Sequence, residues 1–408
     1  MLATDQVSTW AQAEDWARAQ DGADPLAGLR DAFELPEGIY CCGHSLGPLP
    51  RRARTLLTNV LDDWGTIAVE GHHRAQPPWA EYAEPLARSC AALIGAQPEE
   101  VVVMGALSTN LHLMLASFYR PRGRRRKILI ERPAFPSDRY AVVSQLRWHG
   151  LDPARDLIQA DTGKLPGHVA AAGDELALVL LGGMNYYSGE ALDLAACAHA
   201  AHAVGALVGF DLAHAIGNVP IDLRAADADF AVWCGYKYLC GGPGAPAGCY
   251  VNRRHFSGPA PLPRLAGWWG NCADTRFEMR EEFEPAPGAA GWNVSCPSIL
   301  SLAGLKAGLE LFDQVPLATW QAKSRALQRA TEAWADELLP HWPRLAPPRR
   351  GAQISLQIGP AAGSVQQRLR VAGVFSDSRG DVLRLSFHPL YNRFQDVAAA
   401  FAALRQLR

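Results

Sequence analysis

The feature that most constrains this chain is a series of short apolar runs, each closing on a polar or small residue, alternating with helical patterns. Val101-Val102-Val103-Met104, Lys127-Ile128-Leu129-Ile130, Leu176 to Leu181, Ala206 to Phe210 and Phe230 to Trp233 read as buried strands. Between them, Ser108 is placed to cap a helix running through Leu111, Leu115 and Phe118, and an Ala-rich helix is expected over about Leu192 to Val204. Strands and helices in alternation build an α/β fold whose sheet is mostly parallel and covered on both faces. Ligands of such sheets sit beyond the carboxyl ends of the strands. That rule singles out Ser108, Phe135, Asp211 and Lys237 together.

The rest of the chain sets limits. Its 408 residues suggest two to three domains, and 49% apolar with 20% charged residues excludes a mostly disordered protein. We expect an arm over residues 1–50 that joins the small domain, a large domain over 51–297 and a smaller C-terminal domain over 298–408. The last begins with a long helical stretch, Ser298 to Leu339. It continues through the Pro/Arg-rich segment Pro340 to Arg350 and ends in a helix from Asp396 onward. A net charge of −2 makes no case for nucleic acid or an anionic membrane. The basic run from Arg120 to Lys127 lacks interleaved aromatics and reads as a solvated loop. Nine cysteines without a C-x-x-C argue for reduced thiols, not for a disulfide framework or a structural zinc site. Met1 to Ala23 carries Asp5, Glu14, Asp15 and Asp21 and has no apolar core, so it is not read as a secretory signal. No run of roughly eighteen apolar residues is present to span a membrane. We therefore expect a cytoplasmic protein that binds neither membrane nor nucleic acid.

Lys237 is flanked by Tyr236 and Tyr238 and followed by Gly241-Gly242-Pro243-Gly244. Partial desolvation there lowers an amine's pKa and suits it to attack a carbonyl, as in a Schiff base with an aldehyde cofactor. Taken alone it also reads as a surface lysine at a strand exit. Asp211 ends a strand in Gly209-Phe210-Asp211-Leu212-Ala213-His214, 26 residues before Lys237, with a helix-like segment expected between. A buried carboxylate can hold a pyridine nitrogen protonated and make pyridoxal phosphate an electron sink; an N-capping aspartate is the plainer alternative. The opening of a helix at Leu107-Ser108-Thr109-Asn110 offers free N–H groups and a hydroxyl for a phosphate, or simply a cap. Phe135 offers an aromatic face.

These segments together resemble the kynureninases, a family of fold-type I pyridoxal phosphate enzymes in the class-V aminotransferase-like group. The resemblance rests on Phe135-Pro136-Ser137-Asp138, Phe210 to His214, Tyr236-Lys237-Tyr238, Gly267-Trp268-Trp269-Gly270 and Pro389-Leu390-Tyr391-Asn392, in order from about Ile39 to Asp396. It implies the fold-type I architecture, with a large pyridoxal phosphate-binding domain and a small C-terminal α/β domain. It also implies hydrolytic cleavage of the Cβ–Cγ bond of L-kynurenine, or of 3-hydroxykynurenine or another ring-substituted analogue. The products would be anthranilate, or its analogue, and L-alanine.

By the same resemblance Lys237 would hold the cofactor covalently and later take the α-proton. Asp211 would pair with the pyridine nitrogen, beside His214. Leu107, Ser108, Pro136, Ser137 and Asp138 would contact the cofactor and Phe135 would stack on it. Tyr236 would touch the phosphate and donate a proton. Trp268 and Cys296 would reach a cofactor across the interface of a homodimer. Arg384 would grip the substrate's carboxylate, a task suited to a guanidinium. Ser45, Trp64, His72, Asn271 and Ser295 would complete the substrate site.

Three positions depart from the family's usual residues. His44 stands in Gly43-His44-Ser45-Leu46-Gly47 where an asparagine is usual, Asn271 where animal enzymes carry histidine, and Cys296 where asparagine or threonine is usual. A thiol is a poor hydrogen-bond partner for an aryl hydroxyl, so kynurenine is expected to be preferred over 3-hydroxykynurenine. No metal is expected, because the adjacent His72 and His73 cannot face one ion on a regular element. The competing readings are an aminotransferase or cysteine desulfurase relative with Cys296 as nucleophile, and a catalytically degenerate cofactor-binding protein.

Overall fold

The structure is a computed structural model that describes residues 6–257, 262–345, 347 and 349–407. Asp5 of the arm, with Ala346 and Pro348 of the Pro/Arg-rich connection, lies outside the described residues. The large sheet has seven strands. They are β1 (Val101–Met104), β2 (Lys127–Arg132), β3 (Leu157–Asp161), β4 (Leu176–Gly182), β5 (Leu207–Asp211), β6 (Phe230–Trp233) and β7 (Ala247–Val251), in the spatial order β1-β7-β6-β5-β4-β2-β3. Neighbours from β6 through β3 are parallel, while β7 runs antiparallel between β6 and β1.

The apolar runs are buried on both faces because successive side chains go to opposite sides. Val101, Leu129, Val179, Leu181, Val208 and Phe210 enter one core. Val102, Ile128, Ile130, Leu178, Leu180 and Val232 enter the other. The covering helices include α1 (Arg51–Ile67), α2 (Leu107–Phe118), α3 (Pro136–Trp148), α4 (Leu194–Ala203) and α5 (Ile299–Asp313).

A third core gathers around the small sheet of β8 (Gln353–Gln357), β9 (Asp377–Arg379) and β10 (Val382–Ser386), ordered β8-β10-β9. It is covered by α6 (Leu317–Leu338), α7 (Ala362–Val371) and α8 (Phe394–Gln406). The arm serves both bodies. Ala13 and Ala17 of its helix join the small core, whereas Leu26 and Phe33 join the large one. Ile39–Tyr40 adds in parallel to Val374–Phe375. At the joint, Lys323 of α6 pairs with Asp24 of the arm at 2.7 Å, with both side chains buried.

Four local expectations are corrected. Ser108 is not an N-cap: α2 begins two residues earlier than such a cap would start it, with Ala106 in the cap position and Ser108 in the first turn. The stretch from Ser298 to Leu339 is two helices, because Pro316, in extended conformation, closes one and opens the next. The segment between Asp211 and β6 is a succession of turns without a helix. The last helix starts at Phe394, where the Asp21 carboxylate of the arm accepts the Phe394 and Gln395 N–H groups and Asp396 accepts the N–H of Arg393.

Helix α5 also places the Lys237 loop. It packs along α1, and its glycines face the loop after β6. A Cβ on Gly308 would sit 1.9 Å from the Leu239 carbonyl oxygen, and one on Gly304 would sit 2.4 Å from that of Gly241. The missing side chains let the helix lie directly against that loop.

Candidate active site

The carboxyl ends of β2, β4, β5 and β6 open into one cleft. Leu107, Ser108, Phe135, Asp138, Asp211, His214, Tyr236 and Lys237 line it, with Glu131, Met184, Tyr186 and two small residues, Gly182 and Ala213. Lys237 is buried, and its Nζ lies 3.1 Å from His214 Nε2. The same nitrogen stands 5.5 Å from the Phe135 ring centre and 5.9 Å from that of Tyr236. Phe135 is 37% exposed, so its ring has a free face.

Three carboxyls line the same cleft as this amine. Asp211 Oδ1 accepts the backbone N–H of Ala213 at 2.7 Å. Burial raises its pKa, and the Lys237 charge opposes the rise. Asp138, beside it, is raised well above the usual range by burial and by the negative charge of Asp211, so it holds the proton of the pair. Glu131, one residue before the end of β2, accepts the Gly182 N–H at 3.1 Å. Burial pushes it up to about 7. His214 is held well below its ordinary value, first by burial and then by the charges of Lys237 and Arg384, so it is neutral. Burial likewise raises the Tyr236 hydroxyl and keeps its proton available.

The first turns of α2 and α3 meet at a hydroxyl pair, Ser108 Oγ to Ser137 Oγ at 2.6 Å. Pro136 opens α3, where a missing N–H costs nothing. Two helix N-termini and two hydroxyls make an anion cradle. Asp138 Oδ1 and His214 Nδ1 are buried without any hydrogen-bond partner. Such orphaned atoms call for a ligand's polar groups or water. An amine, a buried carboxylate, an open aromatic face and an anion cradle together fit pyridoxal phosphate.

Beyond Tyr186 lies a second cluster. The Tyr186 ring meets Phe135 edge-on at 5.2 Å, and its carbonyl accepts Arg384 Nη1 at 2.7 Å. Arg384, on β10, is buried and donates two parallel bonds to Asp377, Nε to Oδ1 at 2.8 Å and Nη2 to Oδ2 at 2.6 Å. His44 Nε2 reaches the same Oδ1 at 2.9 Å, and Ser45 Oγ donates to Oδ2 at 2.7 Å. Burial alone would raise the Asp377 carboxyl, but the bonds from His44 and Arg384 outweigh it and hold it well below the usual range.

The other expected site residues lie away from the cleft within the single chain. Trp64 is exposed on α1, and His72 packs edge-on against Trp79 at 5.5 Å. Trp268 is 55% exposed and donates its indole N–H to the Arg276 carbonyl. Asn271 accepts the Glu284 N–H at 2.8 Å. Ser295 and exposed Cys296 line a separate small cavity with Asn110 and Gly244. Sequence reasoning passed over Glu131, Tyr186 and Asp377. Glu131 lies at the carboxyl end of a parallel strand, one residue before its last, so the strand-end rule could have found it; Asp377 gives no local signal. Among the described residues no cluster of metal-ligating side chains occurs, and no helix is long and apolar enough to cross a membrane.

Comparisons with known proteins agree on one family. Residues 57–339 match the family model for class-V aminotransferases, and residues 321–404 match that for the kynureninase C-terminal domain. The kynureninase of Xanthomonas euvesicatoria pv. vesicatoria (strain 85-10) is 49% identical over 403 residues, covering 93% of this chain and 95% of that protein. The kynureninase of Xanthomonas campestris pv. campestris (strain B100) is 48% identical over 405 residues, with the same coverage. Among solved structures, a C-DES mutant with glycine linked to its PLP cofactor superposes with a TM-score of 0.77 at 18% identity, covering 92% of this chain and 98% of that one. The cysteine desulfurase CsdA of Escherichia coli follows at 0.76 and 19%, covering 93% and 98%. At that identity the two structures speak for the fold alone.

Proposed function

The chain belongs to the kynureninase family, and from that premise we propose the reaction it catalyses and the residues that carry it. The protein is a pyridoxal phosphate-dependent enzyme acting on kynurenine. In our reading the reaction is hydrolysis: L-kynurenine and water give anthranilate and L-alanine by cleavage of the Cβ–Cγ bond, with kynurenine preferred over its 3-hydroxy analogue. The observation that carries the reading is the convergence of Lys237, Asp211 and the unpartnered atoms of Asp138 and His214 in one buried cleft.

Pyridoxal phosphate, when bound, supplies an electron sink for charge developing on the amino acid's carbon skeleton. Lys237 Nζ would hold it covalently, and once released would take the α-proton. Asp211, with Asp138 sharing its proton, would hold the pyridine nitrogen charged. Phe135 would stack on the ring. The Ser108 and Ser137 hydroxyls, with Leu107 and Pro136 at the same helix openings, would receive the phosphate. Tyr236, kept protonated by burial, would deliver a proton to the carbon left when anthranilate departs. Arg384 would take the α-carboxylate, with Ser45 at the same end of the site.

We also propose a homodimer in which Trp268 and Cys296 reach the partner's cofactor, and in which Trp64, His72, Asn271 and Ser295 meet substrate. The exposed aromatic surface of Trp268 and Phe277 supports it. A cytoplasmic location is supported by nine free cysteines. For the domain division we keep 1–50, 51–297 and 298–408, although the apolar side chains of α5 pack into the core of the large domain.

Borohydride reduction of the loaded enzyme, digestion and mass spectrometry should place the label on the peptide containing Lys237. The native enzyme should release anthranilate and alanine in equal amounts from kynurenine. A label on another peptide, or sulfide from cysteine without kynurenine turnover, overturns the proposal.

A further inference from the structure

We propose that His44 is a positioning residue for carboxylate recognition: its one donated N–H pins Asp377, and Asp377 in turn sets the guanidinium of Arg384. The inference rests on the reading that Arg384 receives the substrate's carboxylate. Asp377 has about four lone-pair positions, two on each oxygen. Arg384 and His44 share Oδ1; Arg384 and Ser45 share Oδ2. These four bonds saturate the carboxylate and give it one orientation, with Arg379 Nη2 also standing 3.5 Å from Oδ2. Arg384 offers five N–H donors. Two go to Asp377 and one to the Tyr186 carbonyl, which leaves one on each Nη. Those two are what a substrate carboxylate can use, and their direction is set by the plane in which Asp377 holds the guanidinium.

His44 is buried, and its other nitrogen, Nδ1, has no partner. The ring's whole polar contribution is thus the single N–H given to Asp377. Without that donor, Asp377 Oδ1 keeps a vacant position inside the protein. The carboxylate then turns toward another donor and carries the Arg384 fork with it. A glutamine at 44 has an amide nitrogen at nearly the reach of Nε2 and can replace the donor. Phenylalanine fills the slot and cannot.

The test compares two ligands on the cofactor-loaded enzyme, L-alanine and L-alaninamide, which differ in the carboxylate. Affinities are read by absorbance titration. His44→Phe should reduce the preference for L-alanine over L-alaninamide about tenfold, the scale of one hydrogen bond to a charged group. His44→Gln should restore most of it. Equal weakening of both ligands, or failure of His44→Gln to recover the preference, overturns the inference. Arg384→Lys serves as the control: if the preference survives there, the assignment of Arg384 itself fails, and the role of His44 with it. Cofactor absorbance and Tm report folding. Should His44→Phe not fold, His44→Met is the second donor-free variant, and an unchanged preference in it is equally decisive against the proposal.

Discussion

His44 and His388 are both buried, and burial lowers each to about 4. His388 bonds the Gly217 carbonyl at 2.8 Å and stacks on Tyr391. In the unfolded chain both would titrate near 6.5, so between those values the unfolded state binds more protons than the folded one. Stability contributed by their neutrality is therefore full above about 6.5 and is lost as pH falls toward about 4. Urea unfolding of the cofactor-free protein should give a lower midpoint at about pH 5 than at about pH 7. His388→Phe should reduce that difference, leaving the share of His44, while costing about 1–3 kcal/mol at neutral pH, because the Gly217 carbonyl loses its donor. Equal pH dependence in the two proteins would refute the assignment. At this scale the sequence made legible those residues whose position follows from the strand-end rule, Asp211 and Lys237 above all. Asp377 was illegible because it lies on a three-residue strand, and its role comes from contacts with residues 7 and 333 positions away.

Helix α5 shows the same limit for elements. Its apolar residues marked it as buried, but nothing in the pattern said that Gly304 and Gly308 face the loop carrying Lys237. Gly308→Ala should destabilise by about 1–3 kcal/mol, as overpacking does. It should also lower kcat, because the added methyl displaces the Leu239 carbonyl and with it the lysine turn. Thermal unfolding and kynurenine kinetics test both; a variant with unchanged Tm and kcat would show that the loop is not held by the helix. The five strands read from the sequence were legible because both faces are buried and the runs are uniformly apolar. Strands β3 and β7 were missed: Leu157-Ile158-Gln159-Ala160-Asp161 is broken by Gln159, and Ala247-Gly248-Cys249-Tyr250-Val251 mixes small residues with a polar-tipped ring, so neither has that uniformity. The break at Pro316 was readable from the residue itself, yet the helical pattern resumes so soon that the two helices merged into one.

For the whole molecule, composition and alternation were enough for the α/β class, while the way the arm spans both bodies was not visible in any local pattern. The shared-site dimer has a direct test. Lys237→Ala and Trp268→Ala homodimers, each inactive or nearly so, should regain about a quarter of native activity when subunits are exchanged. Half of the random pairs are mixed, and each mixed pair holds one intact site. A mixture no more active than its parents would mean that Trp268 does not cross the interface. The arm carries a different lesson. Lys323 is surrounded by protein and is neutralised by Asp24, with burial lowering its pKa. Trimming the chain past Asp24 would strand an ammonium group in a dry seam, where it must either discharge or draw water inward. The leading segment thus works as a counter-ion stitched between two halves, and shortening it would loosen the seam from within.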